Sequence, residues 1–181
     1  MQPLMAYYQW RTFARDVTIC CVGSVAMGLG LAMFADLVLT RKAQARPSEL
    51  RLIERTVERA AGTRILWARG RTHGCNKSTL LGFYAPERNR VIMCESNLRG
   101  SLPMAIELVK HESWHAVQFR CNQGKPVLRD DQLRNGLRRS DKSILREAYP
   151  KHQHRLEAEA RTISQLPTKN YLDGVQAYCR R

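Results

Sequence analysis

The stretch His111-Glu112-Ser113-Trp114-His115 sets two imidazoles four residues apart, with a carboxylate directly after the first. On an α-helix, residues i and i+4 stack on one face, so both rings can reach a single ion at about 2.0–2.1 Å. Glu112 lies one position further round the helix, where its carboxylate can act as a base without ligating. This is the arrangement that zinc-dependent hydrolysis requires: the ion lowers the pKa of a bound water, Glu112 takes the proton, and the nucleophile attacks a carbonyl that the zinc polarises.

The residues around the motif fit that chemistry. Val109, Ser113, Trp114, Ala116 and Val117 are all uncharged, as a helix buried between a sheet and a cleft needs. A solvated helix with surface histidines has no use for Trp114, Val117 and Phe119 beside them. Zinc takes a third protein ligand, and the segment after His115 reads AVQFRCNQG, with no further histidine. Glu157 and Glu159, in the run EAEA, are the natural candidates, because Ala160 one turn after Glu157 lets that helix approach the motif helix closely. His152 and His154 flank the expected start of the helix and are less well placed.

Those side chains need elements to carry them. Ser101 as a cap and Pro103 in the first turn open a helix that runs through the motif to about Phe119. The run from His154 to Leu166 reads as a second metal-site helix, stopped by Pro167. Upstream, Ser48 caps an amphipathic helix with Leu50, Ile53 and Val57 on one face, ended by Gly62. Three extended segments follow, at Arg64 to Ala68, Leu80 to Tyr84 and Arg90 to Cys94, separated by turns bearing Gly, Asn and Pro. Residues 122–150 predict loops with one or two short helices. The expected class is α+β: a small sheet packed on the HExxH helix and a second helix that completes the site.

The HExxH pair followed by a distant Glu-x-x-Ala resembles the gluzincin branch of zinc metallopeptidases. Gly82-Phe83-Tyr84, Val91 to Cys94, Asn97, the motif itself and Cys121 are similar to the mitochondrial inner-membrane peptidase family that matures an ATP synthase subunit. The resemblance covers roughly Cys75 to Ile163. Gln118 stands where that family has Asp, Arg120-Cys121 reverses its Cys-Arg order, and its cysteine-rich twin motifs are missing, so its substrate and assembly role do not carry over. The resemblance implies a minimal zincin domain with His111, His115 and Glu157 as zinc ligands and Glu112 as catalytic base. It implies too that the Arg90 to Cys94 strand offers its edge to an extended substrate, and that a Tyr or His supports the developing oxyanion. Tyr149 is the first candidate for that role and His154 the second.

The chain has 181 residues, enough for one modest domain and an appendage, and its 44% hydrophobic content is that of a folded protein. Val17 to Ala35 holds nineteen uncharged residues, about 28 Å of helix at 1.5 Å per residue. Residues 17–40 therefore predict a transmembrane or signal-anchor helix after a tail at 1–16, with a linker at 41–47 and the zincin-like domain over 48–181. Ala43-Gln44-Ala45 leaves open a secreted form, cleaved near Ala45. Arg41, Lys42, Arg46, Arg51 and Arg55 would hold the following domain in the cytoplasm by the positive-inside rule, whereas the cysteines favour the other side. Cys75, Cys94, Cys121 and Cys179 contain no C-x-x-C pair and suit two disulfides in an extracytoplasmic domain, with three connectivities open.

The expected function is a membrane-associated zinc metallopeptidase acting on a protein or peptide. An alternative from another class is a catalytically inactive, basic binding or assembly protein, because 30 Lys and Arg against 16 Asp and Glu give a charge of +14 that attracts acidic protein, lipid or nucleic acid. No RNP, zinc-finger or basic-zipper pattern is present, so specific nucleic-acid binding is not expected. The retained Glu112 favours the enzyme.

Overall fold

The computed structural model describes residues 46–180. The expected apolar helix over 17–40 and the tail at 1–16 lie outside the described residues. Among the described ones, no helix is long and apolar enough to cross a membrane.

The chain builds α1 (Ser48–Ala61), β1 (Arg64–Ala68), β2 (Gly82–Ala85), β3 (Arg90–Cys94), α2 (Leu102–Cys121), α3 (Asp130–Gly136), α4 (Arg139–Ala148), α5 (His154–Ser164) and α6 (Thr168–Cys179). This is an α+β architecture with a three-stranded sheet in the order β1-β3-β2. β1 runs parallel to β3 from Arg64 opposite Arg90, and β2 runs antiparallel to it with Tyr84 opposite Val91. β3 is therefore the central strand. The expectation that Arg90–Cys94 offers an edge to substrate is corrected: both of its sides are paired, and β2 is the free edge of the antiparallel side.

Alternation along the strands divides the two faces of the sheet. Val91, Met93 and Tyr84 join the main core with α1 and α2, while Ile92, Cys94 and Phe83 turn to a smaller cluster with Ala68 and Cys75. Gly82 permits the close seat of β2, because a side chain there would press on the Ile92 carbonyl, Met93 and Leu108 of α2. β2 starts later than expected: Leu80 closes a turn onto the Lys77 carbonyl, and the Asn97 side-chain amide donates to the carbonyls of Lys77 and Leu80. A second asparagine ties α1 to the β2–β3 turn. Asn89 adopts a left-handed φ of 45°, a conformation Asn tolerates, and accepts hydrogen bonds from Thr63 and Tyr84 while donating to the Gly62 carbonyl.

α2 is the central element and is buried on every side from Leu108 to Gln118. A helix surrounded in this way carries no polar stripe, in contrast to α1, whose Leu50, Ile53 and Val57 face inward and whose arginines face out. Pro47, not Ser48, holds the N-cap of α1, and the Arg51 amide closes the first turn on the Pro47 carbonyl. Gly62 stops the helix in the left-handed region as expected. α6 was not expected from the sequence. It packs Tyr171, Val175 and Tyr178 against Trp114, and Gly174 brings its backbone close to that indole. Lys110, although buried, is satisfied by donating to the Leu166 carbonyl at 2.6 Å, which pins α2 to the turn before α6.

Two disulfides resolve the open connectivity: Cys75 with Cys94 and Cys121 with Cys179. The first staples the 69–81 loop to the end of β3, and the second joins the end of α2 to the end of α6. They close loops of 19 and 58 residues. On loop-closure entropy, replacing both members of a pair with serine should cost about 3 kcal/mol for Cys75–Cys94 and about 4 kcal/mol for Cys121–Cys179. Urea unfolding of the two double variants measures both losses, and loss of the longer link should be the more damaging.

Candidate metal centre

α2 and α5 make the most extensive helix contact in the described chain. Small side chains let them approach, for Ala116 on one and Ala160 on the other are both fully buried. The register of this contact places Glu157 opposite the HExxH face. Nε2 of His111 lies 3.3 Å from one oxygen of Glu157, and Nε2 of His115 lies 3.4 Å from the other. The two rings stand edge to face with centroids 4.9 Å apart. All three ligand atoms fall within 4.8 Å of one another, and all three residues are buried.

These separations test whether an ion fits. Ligands at about 2.0–2.1 Å in tetrahedral geometry stand about 3.3–3.4 Å from one another, the edge of the coordination tetrahedron. Each imidazole nitrogen lies about that far from one Glu157 oxygen, a different oxygen for each ring. Two imidazoles and one carboxylate form a neutral-plus-anionic set suited to a divalent ion, and the group could hold one. The three residues expected to ligate, His111, His115 and Glu157, are brought together from two helices.

Glu159 does not share that role. Its Oε1 accepts from Trp114 Nε1 at 2.6 Å, and its Oε2 accepts from the amides of Val127 and Leu128 at 2.6 and 2.9 Å. The carboxylate is consumed in holding the 122–129 loop against α2 and α5. Of the two carboxylates, Glu157 is therefore the one that meets the imidazoles, because the two side chains leave the same helix on different faces.

The three groups shift one another's protonation strongly because they are buried together. Burial pushes His111 down to about 4, against the hydrogen bond it can donate to Glu157, so this ring is neutral at pH 7. Burial acts on His115 in the same sense, but the charge and hydrogen bond of Glu157 outweigh it and raise the ring to about 9. Burial alone would raise Glu157, yet His115 and His111 hold it well below the usual carboxylate range. Without metal, then, a proton on His115 supplies the positive charge.

Glu112 is fully buried and lines the cleft beside His115 and Glu157, together with Tyr84, Pro86, Phe119, Gln153 and Leu156. It is not part of the three-residue ligand group. Burial raises its carboxyl to about 7, with the His115 charge opposing the rise and Glu157 adding to it. The cleft is narrow, about 40 Å³, with Tyr84 and Phe119 forming an aromatic wall whose rings are 5.8 Å apart.

Tyr149 and His154 are not among the residues that line this cleft. Tyr149 lies in a satellite cluster with Leu145 and Ala158, under the guanidinium of Arg161, and His154 bonds the Tyr149 carbonyl at 2.8 Å. Arg161 was missed by the sequence reading. It is buried, paired with Asp141 at 3.4 Å, and its charge reaches His111 and Glu112. Its signal was available, because it sits four residues after Glu157 and so on the same helix face.

Comparison with protein families, curated proteins and solved structures finds no match to this chain.

The titration of His115 carries a measurable consequence. Its proton is held more tightly in the folded chain than in the unfolded one, so the stability it contributes is present below about pH 6.5 and lost as pH rises through about 9. The raised Glu112 acts in the same sense between about pH 4.5 and 7. Melting curves of the metal-free chain should show the midpoint falling between pH 6.5 and 9. With a divalent ion bound the fall should be reduced, because the ion replaces the proton and its binding strengthens with pH.

Proposed function

We propose that this protein is a zinc-dependent metallopeptidase of the zincin type, with His111, His115 and Glu157 as the metal ligands and Glu112 as the catalytic base. The observation that carries the reading is the convergence of two helix-borne imidazoles and a carboxylate from a second helix, with ligand atoms within 4.8 Å of one another, and a further buried carboxylate beside them in a cleft. Zinc, when bound, supplies a Lewis acid that brings the pKa of water towards neutrality and polarises a carbonyl oxygen.

The chain's own residues perform the rest. Glu112, buried beside the ligand group in the cleft, is placed to take a proton from the attacking water and return it to the departing amine. Its burial keeps bulk water from competing for that proton. Substrate alignment falls to β2. Cys94 donates to the Leu81 carbonyl, so the antiparallel alternation directs Phe83 and Ala85 towards β3 and turns the backbone groups of Gly82 and Tyr84 to the free edge. An extended peptide added to that edge runs past Glu112 and His115, which line the same cleft as Tyr84.

The two disulfides support maturation in an oxidising compartment. Together with the apolar run from Val17 to Ala35, they favour an exported domain, tethered to a membrane or released from it, with a protein or peptide as substrate.

The test separates metal binding from catalysis. The 181-residue chain should carry about one zinc by native mass spectrometry, and both His115→Ala and Glu157→Ala should lose it. Glu112→Gln should keep the zinc yet cleave an unfolded protein substrate about 10²–10⁴-fold more slowly than wild type. A zinc-loaded wild type without peptidase activity, equal to Glu112→Gln across a substrate panel, would favour instead the binding or assembly role that the +14 charge suits.

A further inference from the structure

His115 presents Nε2 to Glu157, and its other ring nitrogen is engaged as well. Nδ1 lies 2.9 Å from Oε1 of Gln118, one turn further along α2, and both side chains are buried. An amide can turn either end to a neighbour, so the direction of this bond depends on what fixes the amide. Here both partners of Nε2 of Gln118 are acceptors: the Leu156 carbonyl at 3.0 Å and Oε1 of Glu159 at 3.2 Å. The amide nitrogen has to face them, which leaves Oε1 facing His115. Nδ1 of His115 must therefore carry a proton in either charge state, and when the ring gives up its second proton to a metal ion it is Nε2, the atom aimed at Glu157, that offers the lone pair.

The anchor behind Gln118 is itself fixed. Glu159 holds Trp114 and Gln118 on one oxygen and the amides of Val127 and Leu128 on the other. Four donors saturate the carboxylate and give it one orientation. The order runs from the 122–129 loop to Glu159, from Glu159 to Gln118, and from Gln118 to the ring that would bind metal.

We propose that Gln118, oriented by Glu159 and the Val127–Leu128 amides, is the positioning residue that sets the tautomer and ring orientation of His115 for metal binding. The inference rests on the metal site proposed above. An outer partner of a ligating histidine commonly affects metal affinity by about 10–100-fold. Gln118 adds a feature that a carboxylate in its place would lack: its nitrogen donates, and so reads the charge of Glu159 while its oxygen holds the ring.

Two substitutions separate positioning from structural support. Gln118→Met fills the same volume but removes the acceptor for Nδ1. Gln118→Glu keeps an acceptor at the same reach but sets a second carboxyl against Glu159 and the Leu156 carbonyl. Zn²⁺ affinity of each full-length chain is measured by competition with a chromophoric chelator, and metal-free stability by urea unfolding. The proposal predicts that Gln118→Met weakens zinc about 10–100-fold, that Gln118→Glu stays within a few-fold of wild type, and that metal-free stability ranks the two variants in the opposite order. Zinc affinity that simply follows metal-free stability, or that is unchanged in Gln118→Met, overturns the positioning role while leaving the metal site intact. A folded wild type that binds no zinc overturns both.

Discussion

The carboxylate of Glu157 meets two imidazoles in the interior of the molecule, and this contact constrains the elements around it. Bringing a carboxylate out of water costs several kcal/mol unless a positive charge compensates it. Metal-free, the compensation is a proton on His115; with an ion bound, the ion supplies it. Either way α2 and α5 must keep the register that sets Glu157 3.3 and 3.4 Å from the two imidazoles. The remainder of the fold can be understood as the means of holding that register. Ala116 and Ala160 set the separation of the helices, Lys110 pins α2 to the turn after α5, and the disulfide from Cys121 to Cys179 ties the end of α2 to α6.

Neighbouring carboxylates on α5 show how environment divides labour. Glu157 faces imidazoles and forms with them the group that could hold a metal ion, whereas Glu159, two residues on, faces only neutral donors and orders a loop. For Glu112 on α2, burial outweighs the His115 charge, the Tyr84 backbone and the Arg161 charge, which favour its ionised form, and raises it to about 7. Three buried carboxylates thus meet three different environments within one small volume.

Much of this was legible before the structure. The spacing of His111 and His115 required a helix, and Leu102–Cys121 is one; β1 and β3 fall where β-branched and aromatic residues sit between turn residues. Local rules could reach these features because they depend on neighbours in the sequence. Strand order could not be reached in that way. It depends on a parallel crossover from β1 to β3 that leaves β2 on the edge, and pairing partners are not encoded in a strand's own pattern. The distinction between Glu157 and Glu159 was equally hidden, because it rests on amides of Val127 and Leu128, about thirty residues away in sequence. The roles of Gln118 and Arg161 escaped for a related reason: each is a polar side chain whose meaning comes from burial between helices. α6 was missed although Tyr171, Leu172, Val175 and Tyr178 have helical spacing, since Gly174 lowers its propensity and its value lies in packing against Trp114.

The central claim is that His111, His115 and Glu157 form one metal-binding centre, and zinc K-edge X-ray absorption of the zinc-loaded chain tests it most directly. The account predicts two imidazole nitrogens, with their characteristic outer-ring scattering, and light oxygen ligands at about 2.0–2.1 Å in a four- or five-coordinate shell. A shell containing sulfur at about 2.3 Å, or one of oxygen alone without imidazole scattering, would contradict it by showing that the chain holds zinc elsewhere.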